Sequence, residues 1–262
     1  GSASRGPARA AALLAGVSLK KRTLTFTSNE GLENPPPGYE SGFAPGAYVS
    51  GTVYPLAFGP GKKDQGATQN MGVNFRYERA LVLETRVQDG NTNEQTGVPT
   101  RQEHWGIGGA YRVLLGDSAS ITMLAGYNRA KFFIDKGESP VAIDVPNTQY
   151  VWFDPGARFR FIMGSQLALH AEARYLLVTD SGEIEQANEY GTATLTGVDA
   201  DVGLEYFVTP RYMVRAGIRY TAIGYSFNGD GAQTDRDNDG SADVGGALDA
   251  YLGGYLTVGT SF

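Results

Sequence analysis

The sequence predicts an all-β fold, an antiparallel up-and-down β-barrel of about ten strands, with roughly 8–12 as the range the pattern allows. Three observations predict it. Apolar and polar residues alternate with period two in segment after segment, the mark of strands that bury one face. The connections between these segments alternate long and short. No apolar run approaches the ~18 residues of a membrane helix, so a membrane crossing would have to be made by strands, in which only every second residue meets lipid.

The 262 residues include 36 Gly and 15 Tyr, no Cys, and carry a formal net charge of −6. Without Cys there is no disulfide and no thiolate ligand or nucleophile. The acidic balance argues against nucleic acid as a partner. Gly1-Ser2 reads as the remnant of a cleaved tag, residues 1–8 as a tail, and residues 9–262 as a single barrel domain. Ala10 to Leu14 is too short for the apolar core of a signal peptide, so the chain is read as mature protein with its export signal removed.

Arg9 to Thr27 is the first strand, with Leu13, Ala15, Val17 and Leu19 on one face and Lys20-Lys21-Arg22 ending the apolar pattern. About 9–11 strand residues cross a bilayer, so Ala11 to Leu19 suffices. Ser28 to Pro45 contains three successive prolines and is a long loop. Gly46 to Phe58 is the second strand, with Val49 and Val53 on one face and Tyr48 and Tyr54 on the other; which face points outward is left open. Gly59 to Asp64 is a turn. The third strand runs from near Gln69 to about Val87, with Met71, Val73, Phe75 and Tyr77 on one face and Arg79 next on it. Gln88 to Gln102 is polar, contains Asp89-Gly90-Asn91, and reads as a loop.

The fourth strand carries Trp105, Ile107, Tyr111 and Val113, and Gly116-Asp117-Ser118 turns the chain. The fifth carries Ile121, Met123, Ala125 and Tyr127, then Arg129, and Asp135 to Asn147 is a loop. The sixth carries Val151, Phe153, Ala157, Phe159 and Phe161, with a bulge expected at Pro155. After a turn at Gly164, Leu167 to Leu177 alternates apolar residues with His170, Glu172 and Arg174. Thr179 to Gly191 is an acidic loop. Val198 to Tyr206 and Tyr212 to Tyr220 are the next two strands, joined at Thr209-Pro210-Arg211, and Asn228 to Gly246 is the last long loop.

The final stretch, Ala247 to Phe262, places Leu248, Ala250, Leu252, Leu256 and Val258 on one face and ends on Phe262. It resembles the terminal strand of Gram-negative outer-membrane β-barrels, whose pattern is a final Phe preceded by apolar residues at alternate positions. Phe262, Val258 and Leu256 match that pattern; Thr260 and Gly254 fit it loosely. The resemblance implies an outer-membrane protein with short periplasmic turns, long extracellular loops and both termini periplasmic. The apolar faces then point to lipid and the charged faces inward. Ala247–Phe262 must pair with Arg9–Thr27 to close the barrel.

Inside, the Thr209-Pro210-Arg211 turn sets Glu205 opposite Arg215 and Asp201 opposite Arg219, and a turn centred on Gly164 sets Asp154 opposite Arg174. Mixed signs point to a filled, charge-paired interior, since a selective pore favours one sign.

Asp235-Arg236-Asp237-Asn238-Asp239-Gly240-Ser241-Ala242-Asp243 resembles the D-x-D-x-D-G-x-x-D calcium loops of EF-hand and thrombospondin type 3 proteins. Calcium takes six to eight hard oxygens, so Asp235, Asp237, Asp239, the Ser241 carbonyl and Asp243 are the candidate ligands. Gly246 stands where an EF-hand has its bidentate Glu, which points to weak affinity. No cofactor is otherwise required. Lys21, Arg79 and Arg129 each follow an apolar face on strands running outward, a position for contact with lipopolysaccharide phosphates beside the membrane lipid.

Some ten-stranded outer-membrane barrels are proteases with Asp and His at the outer rim. Here His104 is placed near the rim and His170 near the periplasmic turn, with no rim Asp–His couple, so no enzyme is expected. The reading is a scaffold that presents loops to envelope or extracellular proteins, with a narrow pore as the alternative and a rim hydrolase behind it.

Overall fold

The computed structural model describes residues 8–30, 32–58, 66–88, 95–139, 141 and 143–262. Residues 1–7, the whole of the expected turn at Gly59–Asp64 and the expected turn at Asp89-Gly90-Asn91 lie outside them.

In chain order the strands are β1 (Ala11–Ser28), β2 (Tyr39–Glu40), β3 (Ala44–Val53), β4 (Met71–Ala80), β5 (Glu84–Gln88), β6 (Gln95–Leu115), β7 (Ala119–Ile134), β8 (Thr148–Phe153), β9 (Gly156–Met163), β10 (Leu167–Gly182), β11 (Ala193–Phe207), β12 (Tyr212–Phe227) and β13 (Val244–Ser261). All neighbouring pairs are antiparallel, and the pairing of β6 with both β4 and β7 closes the sheet on itself. β8 and β9 are two segments of one stave between β7 and β10, so the barrel has ten staves. The seam joins β13 to β1, with Ala12 opposite Ser261 and Phe26 opposite Ala247.

Three expectations are corrected. Pro155 causes no bulge. The register against β7 runs on from Tyr127–Phe153 to Leu124–Gly156, and Asp154 N still donates to Gly126 O at 3.0 Å. Proline only withholds its own missing N–H, and register shifts occur instead on β10, between Val178 and Asp180 and between Asp180 and Gly182. The stretch Gln88–Gln102 is not a loop throughout: β6 begins at Gln95 and pairs with β5 in a hairpin, Glu84 opposite Pro99. Apolar alternation stops there, but the ladder supplies the backbone bonds without it. Finally, the long–short alternation has an exception. The connection from Tyr54 to Asn70 includes two 3₁₀ turns, Pro55–Ala57 and Gly66–Asn70. Tyr54 and Ala57 tuck beneath Ala110 and Leu124, and the Arg112 guanidinium lies 4.0 Å from the Tyr54 ring centroid.

Strand length explains the interior. At ~3.3 Å per residue the 16 residues of β12 extend for roughly 50 Å, whereas lipid needs only about 9–11 residues of each tilted strand. Near the short-turn end, β12 points Ile218 outward, 60% exposed, and Arg215 and Arg219 inward. Further along the polarity reverses: Ile223, Tyr225 and Phe227 point inward and Gly224 and Ser226 outward. β1 reverses likewise, from outward Val17 and Leu19 to outward Thr23, Thr25 and Thr27, with Leu24 and Phe26 turned in. The apolar belt therefore girdles one half of the barrel, and the other half stands beyond it with a core of its own.

Candidate functional site

The lumen has two zones. Its lower zone, toward the short turns, is a lattice of charges on alternate residues of β4 and β9–β12, with Asp154 between β8 and β9. Glu205 is fully buried and receives Arg215 Nη2 at 2.6 Å, Arg160 Nε at 2.9 Å and Arg9 Nη1 at 3.0 Å. Glu172 receives Arg158 and Arg174, each at 2.6 Å. Arg174 also reaches Asp154 at 2.7 Å. Lys20 on β1 pairs with Glu78 on β4, over the intervening β3.

The expected pairs can be placed individually. Glu205 lies opposite Arg215 in the ladder and bonds to it. Asp201 lies opposite Arg219, but their closest approach is 4.0 Å; Arg219 forks instead onto Asp199, two residues along the same face, at 2.7 Å. Arg174 lies opposite Gly156 because the turn is centred one residue beyond Gly164, and it meets Asp154 diagonally. A long guanidinium reaches the diagonal neighbour on its face as readily as the direct one.

Freed from Arg219, Asp201 accepts His170 Nε2 at 2.7 Å and Tyr255 Oη at 3.0 Å. Sequence reasoning missed this Asp–His–Tyr cluster because the residues come from three strands. His104 is not at the rim, since β6 continues to Gln95. It sits inside, 3.2 Å from Asn128 Oδ1 and beside Trp152, and Glu78, opposite it in the ladder, pairs with Lys20.

The upper zone is apolar. Leu24, Phe132, Ile134, Tyr150, Trp152, Leu176, Ile223 and Phe227 pack across the lumen, joined by Ile184 and Tyr190 from the 183–192 connection. At its centre is one ion pair that sequence reasoning missed. Arg22 Nε and Nη2 each donate to Asp249 at 2.8 Å, with both side chains wholly buried. Tyr150 Oη donates to Asp249 Oδ2 at 2.5 Å, and Phe132 packs 4.1 Å from the Arg22 guanidinium. Counting by two from Lys20 would have found Arg22, which shares its inward face.

The long loops knit together above this zone. Arg236 Nε donates to Asn34 O at 3.0 Å, and its Nη2 lies 3.5 Å from Asp144, joining three loops. Thr192 donates through its N–H and hydroxyl to Asp230, at 2.7 and 2.6 Å, and these bonds hold that carboxyl below the usual aspartate range. Burial, with Asp144 nearby, pushes the Tyr190 hydroxyl above the usual tyrosine range.

In the acidic loop, Asp235, Asp237 and Asp239 bring carboxylate oxygens within 4.8 Å of one another. Asp239 N donates to Asp237, Ser241 N to Asp239 and Gly240 N to Asp235, at 3.0, 2.7 and 3.0 Å. Asn238 at φ 62° and Gly240 at φ 90° curl the chain round them. Asp243 is turned away, accepting from Arg236 N at 2.8 Å and Asn29 Nδ2 at 3.3 Å. Of the lipid-side cations, Lys21, Arg79 and Arg129 all lie on the outward face near the polarity reversal, and Lys21 pairs with Glu40.

No protein-family model and no curated protein sequence matches the chain. Among solved structures, it is similar to the outer-membrane protease OmpT from Escherichia coli, with a TM-score of 0.50, 12% identity and 96% of each chain covered. Neisserial surface protein A gives 0.38 at 11% identity over 97% of both chains, and Ail of Yersinia pestis 0.32 at 11% over 96% of this chain and 97% of that one. The fold is that of a Gram-negative outer-membrane β-barrel. At these identities the likeness speaks for fold alone.

Proposed function

We propose that this chain is an integral protein of the Gram-negative outer membrane, with periplasmic termini and a closed lumen, and that it works as a scaffold presenting its long loops to extracellular or envelope proteins. The observation that carries this reading is the upper zone. A lumen packed, among the described residues, with aromatic and aliphatic side chains around a wholly buried Arg22–Asp249 pair supports a closed barrel. The interlocked loops favour a surface of fixed shape, as binding surfaces carried on rigid scaffolds have. The narrow-pore reading needs a continuous polar path, and the rim-hydrolase reading needs an Asp–His couple at the outer rim, whereas His104 and His170 are both buried inside the barrel. Reconstitution into planar bilayers tests the proposal: folded protein inserts without unitary conductance steps. A steady step from the unmodified protein would make it a pore.

Two smaller parts of the reading concern ligands. Asp235, Asp237, Asp239 and the Ser241 carbonyl form a weak Ca²⁺ site, in the ~10⁻⁴–10⁻³ M range of extracellular modules, without the expected Asp243. Titration calorimetry should show binding heat that vanishes in Asp237→Ala plus Asp239→Ala; unchanged heat in that variant removes the site. Arg79 and Arg129, with Lys21 shared with Glu40, meet lipopolysaccharide phosphates at the edge of the apolar belt.

A further inference from the structure

Among the described residues, the lower zone contains more guanidinium groups than carboxylates. A chamber of about 40 Å³ lies among β1, β3, β4, β6, β7 and β9–β13. Six arginines line it, Arg9, Arg76, Arg158, Arg174, Arg215 and Arg219, against two carboxylates, Glu172 and Asp201. Counting the described groups just behind the wall does not restore balance: Asp154, Asp199 and Glu205 bring the carboxylates to five against the six arginines of the wall, and Glu205 receives Arg160 besides Arg9 and Arg215.

Arg76 is where the surplus falls. Among the described residues it has no ion pair and no hydrogen bond, and its Nε is sealed from solvent. The carboxylates around it are held by other groups: Glu172 by Arg158 and Arg174, Asp199 by Arg219 and by the Thr221 hydroxyl at 2.7 Å, Asp154 through one oxygen by Arg174 and Asp201 through one oxygen by His170 and Tyr255. The second oxygens of Asp154 and Asp201, buried without a hydrogen-bond partner, make no ion pair with Arg76. Arg215 Nε, on the same chamber wall, is likewise buried with no partner. A buried lysine or histidine in this position could shed its proton, but a guanidinium cannot be deprotonated in a protein. A buried charge that can neither pair nor neutralise is strongly unfavourable. The remaining way to neutralise it is a counter-ion.

We infer that the chamber is a binding site for a small inorganic anion of halide size, chloride in ordinary solution, held by Arg76 with Arg215 beside it. Its volume is about three times the ~10–15 Å³ that one water needs, room for a halide. The anion completes the charge lattice from within the barrel and is a structural ligand. The site is independent of what the loops bind and of whether the upper zone conducts.

Thermal unfolding of the folded barrel in non-ionic detergent tests this, with sodium gluconate replaced by sodium chloride at constant ionic strength. The unfolding midpoint should rise by several degrees in the unmodified protein, because a ligand bound only to the folded state stabilises it, and should not change in Arg76→Gln. A midpoint in the unmodified protein that ignores chloride, or a shift that survives in Arg76→Gln, overturns the inference. Should that variant fail to fold, crystals of the unmodified protein soaked in bromide decide. An anomalous peak beside Arg76 inside the barrel is the expected result; peaks confined to the surface overturn it.

Discussion

The two halves of the lumen handle buried charge in opposite ways. In the lower half most charges belong to one shared network, Arg76 excepted. Arg219 lies within 4.0 Å of Asp199, Glu172 and Asp201, and Glu205 is shared by three arginines. In the upper half one arginine meets one carboxylate inside an apolar cluster, and hydroxyls serve the rest of that carboxylate. Redundancy spreads the desolvation cost over a network, whereas the isolated pair depends on its two members alone.

The contrast is broken most sharply at Asp249. Asp249→Ala leaves Arg22 buried without a carboxylate and should destabilise the barrel by about 3–5 kcal/mol, read from urea unfolding in detergent. Combining Arg22→Met with Asp249→Leu should recover most of that loss, because the surroundings are apolar. A single variant costing under about 1 kcal/mol would place the pair in water rather than in a dry core. The matching cut below is Asp199→Asn. It should cost roughly 1–2 kcal/mol, since Arg219 keeps Glu172 at 3.6 Å and Asp201 at 4.0 Å. If it costs as much as Asp249→Ala, the lower lattice is not redundant.

A smaller effect sits where the upper zone meets the loops. Tyr190 is buried against Phe26 and Phe227, and its ionisation is held above the ordinary tyrosine value near 10. A raised folded value means that the unfolded chain ionises first. Its contribution is therefore complete below that pH and lost as pH climbs toward the folded value. Stability measured from pH 9 to pH 12 should fall less steeply in Tyr190→Phe than in the unmodified protein. Equal slopes would mean that the tyrosine is solvated.

Much of the barrel was legible because period two is a strong signal. The seam between β1 and β13, the outward faces and the inward Glu205 and Arg215 all follow from parity and turn position. What parity does not supply is polarity. Past Lys21 the outward residues become Thr23, Thr25 and Thr27, and a reader looking for apolar residues outside takes the strand to be fading. In fact the solvents on its two sides have been exchanged, lipid for water outside and charge for apolar core inside. The same exchange hid the start of β6 within a polar stretch. Direct ladder partners could be deduced, but the diagonal choice of Arg219 for Asp199, and hence the freeing of Asp201 for His170, depends on side-chain reach.

The central claim is that the upper lumen is a dry core on a strand whose outer face is wet. The absence of native cysteine allows a clean test on β12, where Ile223 points in and Ser226 points out. Folded Ser226→Cys should react promptly with a water-soluble maleimide, and Ile223→Cys only once the barrel is unfolded. Equal labelling rates in the folded protein would mean that water fills the upper lumen, and would contradict the closed barrel.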